Sequence, residues 1–399
     1  MKEIAKCIVP GFKAGAVEAA IKKPGRLDIS LIYSEVPAVS AAVFTKNKVK
    51  AAPVLLDMLA ARKKTARAII ANSGNANACN GGQGMRDALE TAHLAGEALG
   101  IDTSDVFVAS TGVIGNPMPM GRVKDGIKKL PGALREDGFG DAARGIMTTD
   151  TFQKVCGVRE KVGGKDITVV GIAKGSGMIN PDMATMLCFV ATDAEITKKA
   201  LKSALKGAVD TSFNCITVDG DTSTNDTVVV LANGLAKNKI IEEGGAGYAK
   251  FSAALEAVLL SLAKMIVKDG EGATKFVEVE VTGAADAPDA KKAAKAIANS
   301  PLVKTALFAA DPNWGRIAAA AGYSGAKMDP DALEIWFDGV QIVKRGLGTG
   351  IKAESEAAKV LKKAGYRIKV ALGAGKAHAR VYTTDFSYDY VKINAEYRS

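Results

Sequence analysis

The sequence predicts an α/β chain in two parts: a main α/β domain over residues 1–275 and a smaller α+β domain over 276–399. Three observations carry this. Up to Lys275, short apolar and β-branched runs alternate with Gly- and Asn-rich turns and with amphipathic helical stretches. After Lys275 the order becomes strand, helix, two strands, helix and two strands, which contains the β-α-β-β-α-β pattern of a compact α+β unit. At 399 residues and 48% hydrophobic, the chain can bury a core large enough for two domains.

In the first part, Ala38 to Phe44 and Ala66 to Ala71 read as buried strands. Gly81-Gly82-Gln83-Gly84 opens a helix that continues through Met85 to Leu99. Val106 to Ala109 reads as a strand pointing into Ser110-Thr111-Gly112. A strand that ends in a tight Thr-Gly turn presents backbone N–H groups to a developing negative charge, although an ordinary βα loop has the same pattern. Ile167 to Ala173 and Met186 to Ala191 read as two strands flanking a Gly- and Pro-containing loop. A helix over 198–209, a strand over 227–231 and a helix over 246–268 complete this part.

In the second part, Phe276 to Val281 alternates as a strand and the alanine-rich stretch 289–298 has helical spacing. Ala332 to Asp338 and Gln341 to Arg345 suggest a hairpin. A helix over 355–364 precedes strands over 366–372 and 377–384.

Composition narrows the chemistry. No run of 18 or more apolar residues appears, so no membrane span is expected. The start, Met1 to Cys7, lacks the apolar stretch of a secretory signal. Cys7, Cys79, Cys156, Cys188 and Cys215 are scattered and never form C-x-x-C, which points to a reducing cytoplasm without disulfides or a zinc site. With only His93 and His378, and no H-E-x-x-H, no metal site is expected and a histidine base has few candidates. The net charge of +10 includes lysines at helical spacing, Lys198, Lys199, Lys202 and Lys206, which suit a solvated face. With 6% aromatic residues and no nucleic-acid motif, no nucleic-acid partner is expected.

Thr185 is the sharpest candidate for chemistry. It follows the small residue Ala184 where the loop gives way to a strand. By residue type alone it is also an ordinary β-former at a strand start. A threonine hydroxyl is a weak nucleophile unless a base stands beside it. Cutting the chain at Ala184-Thr185 would supply one, an α-amine with a reference pKa of roughly 7.7–8.0.

The segment Lys174-Gly175-Ser176-Gly177-Met178-Ile179-Asn180-Pro181-Asp182-Met183-Ala184-Thr185-Met186-Leu187 resembles the self-cleavage signature of the ornithine acetyltransferase family of arginine biosynthesis. Further blocks are similar to that family along nearly the whole chain. They include Asn72 to Cys79, Ser110 to Gly115, Ser212 to Asp226, Asp269 to Lys275, Asp311 to Arg316 and Ile393 to Ser399. The resemblance implies an α+β layered sandwich of the N-terminal-nucleophile type, cut into an α chain of residues 1–184 and a β chain beginning at Thr185. It implies transfer of acetyl from N2-acetylornithine to L-glutamate through an acetyl ester on Thr185.

Residue by residue, the resemblance makes Thr185 the nucleophile and Thr111 and Gly112 the oxyanion hole. Thr151, Lys174, Thr185, Glu271, Asn394 and Ser399 become the substrate-contacting set. Lys174 would hold a carboxylate as a point charge; by residue type it is equally a solvated loop lysine. Glu271 would attract the ornithine ammonium, or stand as a solvated acid, and Thr151 reads equally as a helix cap. The last six residues are expected to close the active site. No cofactor is implied, two α and two β chains are expected to associate, and acetyl-CoA as a second donor is left open. A more distant likeness to self-cleaving aminopeptidases keeps a hydrolase as the alternative. An uncleaved basic binding protein is a third reading, separable by one band or two on a gel.

Overall fold

The computed structural model of the chain describes residues 1–180 and 186–396. It divides into two compact units. The first comprises Met1–Asn214 with Asp221–Ile266, and the second Cys215–Gly220 with Val267–Ser399. The boundary therefore falls earlier than the expected 275/276. The reason lies in the loop that follows residue 268. Asp385 accepts the N–H groups of Thr274 and Lys275, both at 2.9 Å, and Gly270 lies against Val218 and Thr384.

In the first unit, β1 (Lys2–Glu3), β2 (Phe12–Val17), β3 (Ile29–Phe44), β4 (Thr65–Asn75), β5 (Val106–Val113), β6 (Lys154–Val162), β7 (Lys165–Lys174), β8 (Leu187–Thr192) and β9 (Thr227–Ala232) form one sheet. Its order is β1-β6-β7-β8-β9-β3-β4-β5, with β2 beside β3. The helices are α1 (Ala52–Ala60), α2 (Gly81–Leu99), α3 (Met120–Ala133), α4 (Phe139–Gly145), α5 (Lys198–Thr211) and most of α6 (Tyr248–Lys268). The long strand β3 is the hinge of the sheet. Its first half pairs with β2 and β4, a register shift follows Tyr33, and its second half pairs with β9. β8 and β9 run parallel, as do β4 and β5, so two chain segments end side by side at each place.

Period-2 alternation gives the sheet an apolar surface on both faces. Ala68 and Ile70 of β4 pack with Ala92 and Ala95 of α2 and Val123, Ile127 and Leu130 of α3. Ile69 and Ala71 point the other way, into a core with Phe139 and Ala142 of α4. Ile172 of β7, Phe189 of β8 and Val229 of β9 share that second core. Both halves of the sheet therefore close on the same apolar layer, which makes the layered α/β sandwich. Among the described residues no helix is long and apolar enough to cross a membrane.

The second unit holds β10 (Phe276–Ala284), β11 (Glu334–Phe337), β12 (Val340–Lys344), β13 (Leu347–Gly348), β14 (Gly365–Ala371) and β15 (Ala377–Thr384), in the order β13-β12-β11-β14-β10-β15. Its helices are α7 (Ala287–Asn299), α8 (Pro301–Phe308), α9 (Trp314–Gly322), α10 (Ile351–Leu361) and α11 (Tyr388–Ala395). Val277, Val279 and Val281 of β10 face a core with α7, while Glu278 and Glu280 on the other face pair with Arg367 and Arg380.

The expected order for this part lacks α8 and α9. Both carry start signals that a strand-centred reading passes over. Ser300 caps Val303 N–H at 3.3 Å ahead of Pro301, and Asn313 caps Arg316 N–H at 3.3 Å.

Candidate active site

Thr111 and Gly112 lie near the end of β5, in parallel register with Ser73 and Gly74 of β4. Gly112 has φ +133, and a Cβ there would stand 2.4 Å from the Gly74 carbonyl carbon and 2.6 Å from Asn75 N. Only glycine fits such an approach of two backbones. The asparagine-rich segment beside it builds the frame. Ser110 donates to Asn72 at 2.6 Å, Asn72 donates to the Asn75 carbonyl at 2.9 Å, and Asn75 donates to the carbonyls of Asn116 and Pro117. Asn77 sits at φ +46, a conformation asparagine tolerates better than most residues. Asn225, just before β9, donates to the carbonyls of Ala76 at 2.6 Å and Ser110 at 2.8 Å. It ties the Thr-Gly turn to the end of the sheet where β8 and β9 begin. No role for Asn72, Asn75 or Asn225 was read from the sequence. Their density within the motif blocks was the available signal.

Lys174 closes β7 and is buried, with its ammonium 3.4 Å from the Thr111 hydroxyl, to which it donates. Asp150, on the loop between α4 and β6, sits beneath it. Its Oδ1 accepts from Gly175 N–H at 2.7 Å and from Lys154 Nζ at 2.6 Å, and its Oδ2 accepts from Thr148 N–H at 3.0 Å. Burial works against the Asp150 charge, yet Lys174 and Lys154 together hold the carboxyl down at about 2. Asp150 and Lys154 are fully buried, so this is an internal ion pair completed by backbone donors. Two lysines thus stand about one carboxylate, beside Thr111. The solvated reading of Lys174 is excluded.

Asp226 is the neighbouring acid. Burial pushes its carboxyl well above the ordinary range, against the pull of Ser223, Thr45, Lys174 and the Met186 N–H. Its Oδ2 has no hydrogen-bond partner among the described residues.

In the second unit, Glu271 lies in the loop between α6 and β10, and it too is buried rather than solvated. Asn394 of α11 donates to Glu271 Oε2 at 2.9 Å and to the Tyr390 carbonyl at 3.0 Å. The entry to α11 is fixed nearby. Ser387 donates to the Gly272 carbonyl at 2.6 Å, and Gly272, at φ +67, has room for no Cβ because Tyr390 N would stand 2.5 Å from it. The described part of the C-terminal segment is thus docked on the Glu271 loop.

Thr151 sits in the irregular stretch between α4 and β6 and heads no helix, so its reading as a cap falls away; Asp150 is the anchoring residue there. Ala184, Thr185 and Ser399 lie outside the described residues. His93 is exposed on α2, within 3.4 Å of Glu97, and His378 is exposed on β15. Among the described residues no group of three or more His, Cys, Asp or Glu side chains could hold a metal ion.

A hydroxyl, a strained glycine turn and a buried cation at adjoining strand ends match the motif blocks in which they sit. The sequence pattern of the ArgJ family covers residues 13–399. The chain belongs to the ArgJ family. It is 56% identical to the arginine biosynthesis bifunctional protein ArgJ of Geobacter sulfurreducens, over 98% of this chain and 100% of that protein. The protein of the same name from Symbiobacterium thermophilum is 52% identical, over 98% of this chain and 97% of the relative. The crystal structure of arginine biosynthesis bifunctional protein ArgJ from Bacillus halodurans is 45% identical, with a TM-score of 0.50. It covers 52% of this chain and 97% of that one. The resemblance read from the motifs is therefore borne out over nearly the whole chain.

Proposed function

We propose that this ArgJ-family enzyme of arginine biosynthesis moves the acetyl group of N2-acetylornithine to L-glutamate through an acetyl ester on Thr185. The observation that carries the reading is the cluster of Thr111, Gly112 and Lys174. Thr111 and Gly112 come from the end of β5 and Lys174 from the end of β7, with the Lys174 ammonium 3.4 Å from the Thr111 hydroxyl, an arrangement suited to a tetrahedral oxyanion and a substrate carboxylate. Thr111 and Gly112 stabilise the oxyanion. Lys174, buried beside Thr111, holds a substrate carboxylate as a point charge. Glu271, oriented by Asn394, takes the ornithine ammonium, and Thr151 and Ser399 complete the contacts with substrate.

The nucleophile is made by self-cleavage between Ala184 and Thr185. The Thr185 hydroxyl attacks the preceding carbonyl, the resulting ester is opened by water, and the new α-amine serves as base. The solved Bacillus halodurans chain is in keeping with a cut chain, since 97% of its length accounts for only 52% of the present one. The two products stay associated, two α with two β chains, in the cytoplasm. No cofactor is needed, and acetyl-CoA serves as a second donor to the same threonine, in keeping with relatives named bifunctional.

Mass spectrometry after incubation with N2-acetylornithine should find a chain starting at Thr185 and carrying acetyl there. Initial rates with N2-acetylornithine as donor and glutamate as acceptor should give parallel lines, the pattern of a shared covalent intermediate. Acetate released without glutamate as fast as ornithine is released with it would mark a hydrolase instead. Thr185→Ala should remain whole and inactive. A new chain beginning at any other residue would refute the placement.

A further inference from the structure

We propose that Asp385 is a positioning residue for Glu271, fixing the turn that presents this carboxylate to the free ammonium of N2-acetylornithine. The inference rests on the reading of Glu271 above. With its α-nitrogen acetylated, the donor keeps one ammonium, at the end of its side chain. A group that selects it must be held in place, because a displacement of about 1 Å can cost ~10²-fold in rate. Glu271 and Gly272 are the two central residues of a tight turn, closed by Ala273 N–H donating to the Gly270 carbonyl at 2.8 Å. Gly272 sits at φ +67, the third-position conformation that glycine supplies.

Asp385 ties the outgoing end of this turn. Its Oδ1 accepts the successive N–H groups of Thr274 and Lys275, both at 2.9 Å, and its Oδ2 accepts the Thr274 hydroxyl at 2.5 Å. The Thr384 hydroxyl is shared between the Lys275 carbonyl at 2.7 Å and Asp385 Oδ1 at 3.0 Å. Asp385 is buried, and these donors satisfy both of its oxygens without solvent. The incoming end is tied by Gly270 N–H to the Val267 carbonyl of α6 at 3.2 Å. Ser387, two residues beyond Asp385, grips the turn itself through the Gly272 carbonyl at 2.6 Å. The gripping segment is pinned in its turn to α8, where the Lys304 carbonyl accepts Phe386 N–H at 3.3 Å. α11 starts directly after it, and Asn394 of that helix donates to Glu271 Oε2 at 2.9 Å. The backbone of Glu271 and the amide that aims its carboxylate are therefore both set from Asp385 and its neighbours.

An acid that only capped the start of β10 would serve every substrate alike. A residue acting through Glu271 serves the ammonium alone, so donors with and without that group tell the two roles apart. N2-acetylnorvaline has the carbon chain of N2-acetylornithine without the ammonium. The ratio of kcat/KM for these two donors, with glutamate as acceptor, reads the hold on the ammonium.

Asp385→Ala should lower kcat/KM for N2-acetylornithine by ~10–100-fold and leave that for N2-acetylnorvaline within ~3-fold, so that the preference collapses. Asp385→Asn, whose amide oxygen still accepts both N–H groups, should keep the preference within ~3-fold of wild type. Glu271→Gln should collapse the preference by itself, and adding Asp385→Ala to it should change the ratio no further. An equal fall for both donors, or an unchanged preference in Asp385→Ala, would overturn the proposal. Should that variant not fold, Thr274→Val, which removes the hydroxyl on Oδ2, should move the preference the same way by ~3-fold or more. No movement there would overturn the proposal equally. A Glu271→Gln enzyme with the wild-type preference would refute the reading of Glu271 and the proposal with it. Collapse in that variant without collapse in Asp385→Ala would refute the proposal alone.

Discussion

Each unit of the molecule buries one lysine completely, and the two are held in opposite ways. Lys154 in the first unit lies 2.6 Å from Asp150, whose remaining valences are taken by backbone N–H groups. Lys304 in the second unit donates to the Thr383 hydroxyl at 2.9 Å and to the Thr384 carbonyl, and forms no ion pair among the described residues. Burial lowers its pKa to about 7, with Asp219 and Asp385 offsetting only part of the penalty. One lysine is a charge kept inside by a partner; the other is an amine that burial drives towards neutrality. The compensated pair stands beside Thr111 and Lys174, where fixed charge is useful. The uncompensated amine braces the strand end that leads to α11.

Removing Asp150 should break this contrast most severely. Asp150→Ala leaves Lys154 and Lys174 buried together without their carboxylate, at a cost of roughly 3–5 kcal/mol. Urea unfolding of the variant against wild type measures it. A cost under ~1 kcal/mol would mean that water or another group neutralises the lysines.

Activity should respond nearly as strongly on the Thr-Gly turn. Thr111→Ala should lower kcat by ~10²–10³-fold, the usual loss for one oxyanion donor, while melting within a few degrees of wild type. Gly112→Ala should lose stability as well, by about 1–3 kcal/mol, because its Cβ would collide with the Gly74–Asn75 backbone. A fully active Gly112→Ala would show that β4 and β5 can part at this point.

The pH dependence of stability should separate the two sites by window, an acid one for Asp150 and an alkaline one for Lys304. The Asp150 carboxyl is held below its unfolded value of 3.8, so its ~2 kcal/mol is complete above about pH 4 and is lost as pH falls towards about 2. Lys304 is held below its unfolded value of 10.5, so between about pH 7 and 10.5 the unfolded chain binds more protons and stability rises with pH. Lys304→Met should flatten that rise and stabilise the protein below pH 7 by about 1–4 kcal/mol, Thr383 keeping its bond to the Ala298 carbonyl. An unchanged alkaline slope in the variant would assign the rise to another group.

The smallest effect on stability should come from the tail. Deleting residues 394–399 removes the Asn394–Glu271 hydrogen bond, worth ~1 kcal/mol, and should leave cleavage intact while raising KM for both substrates. Unchanged KM values would make the tail a mere terminus.

The sequence by itself determined the family, the class of chemistry and most strands and helices. These depend on local properties: β-branched runs in 167–173 and 227–231, helical spacing in 198–209, and contiguous motif blocks. It also singled out Thr111, Gly112 and Lys174, though their meeting is a matter of tertiary structure, β5 in register with β4 and Lys174 at the end of β7 reaching Thr111. Two kinds of feature escaped it. Helices α8 and α9 are short and marked mainly by their caps, Ser300 and Asn313, which look like loop residues in isolation. Asp150, Lys154 and Asp226 look like any surface acid or base, because charge states depend on burial and on neighbours distant along the chain. Only tertiary structure could bring Asp226 beside the Met186 amide, since that contact exists only where β8 and β9 run parallel. Local pattern names the groups; long-range strand pairing and burial decide which of them are charged, paired and ready to react.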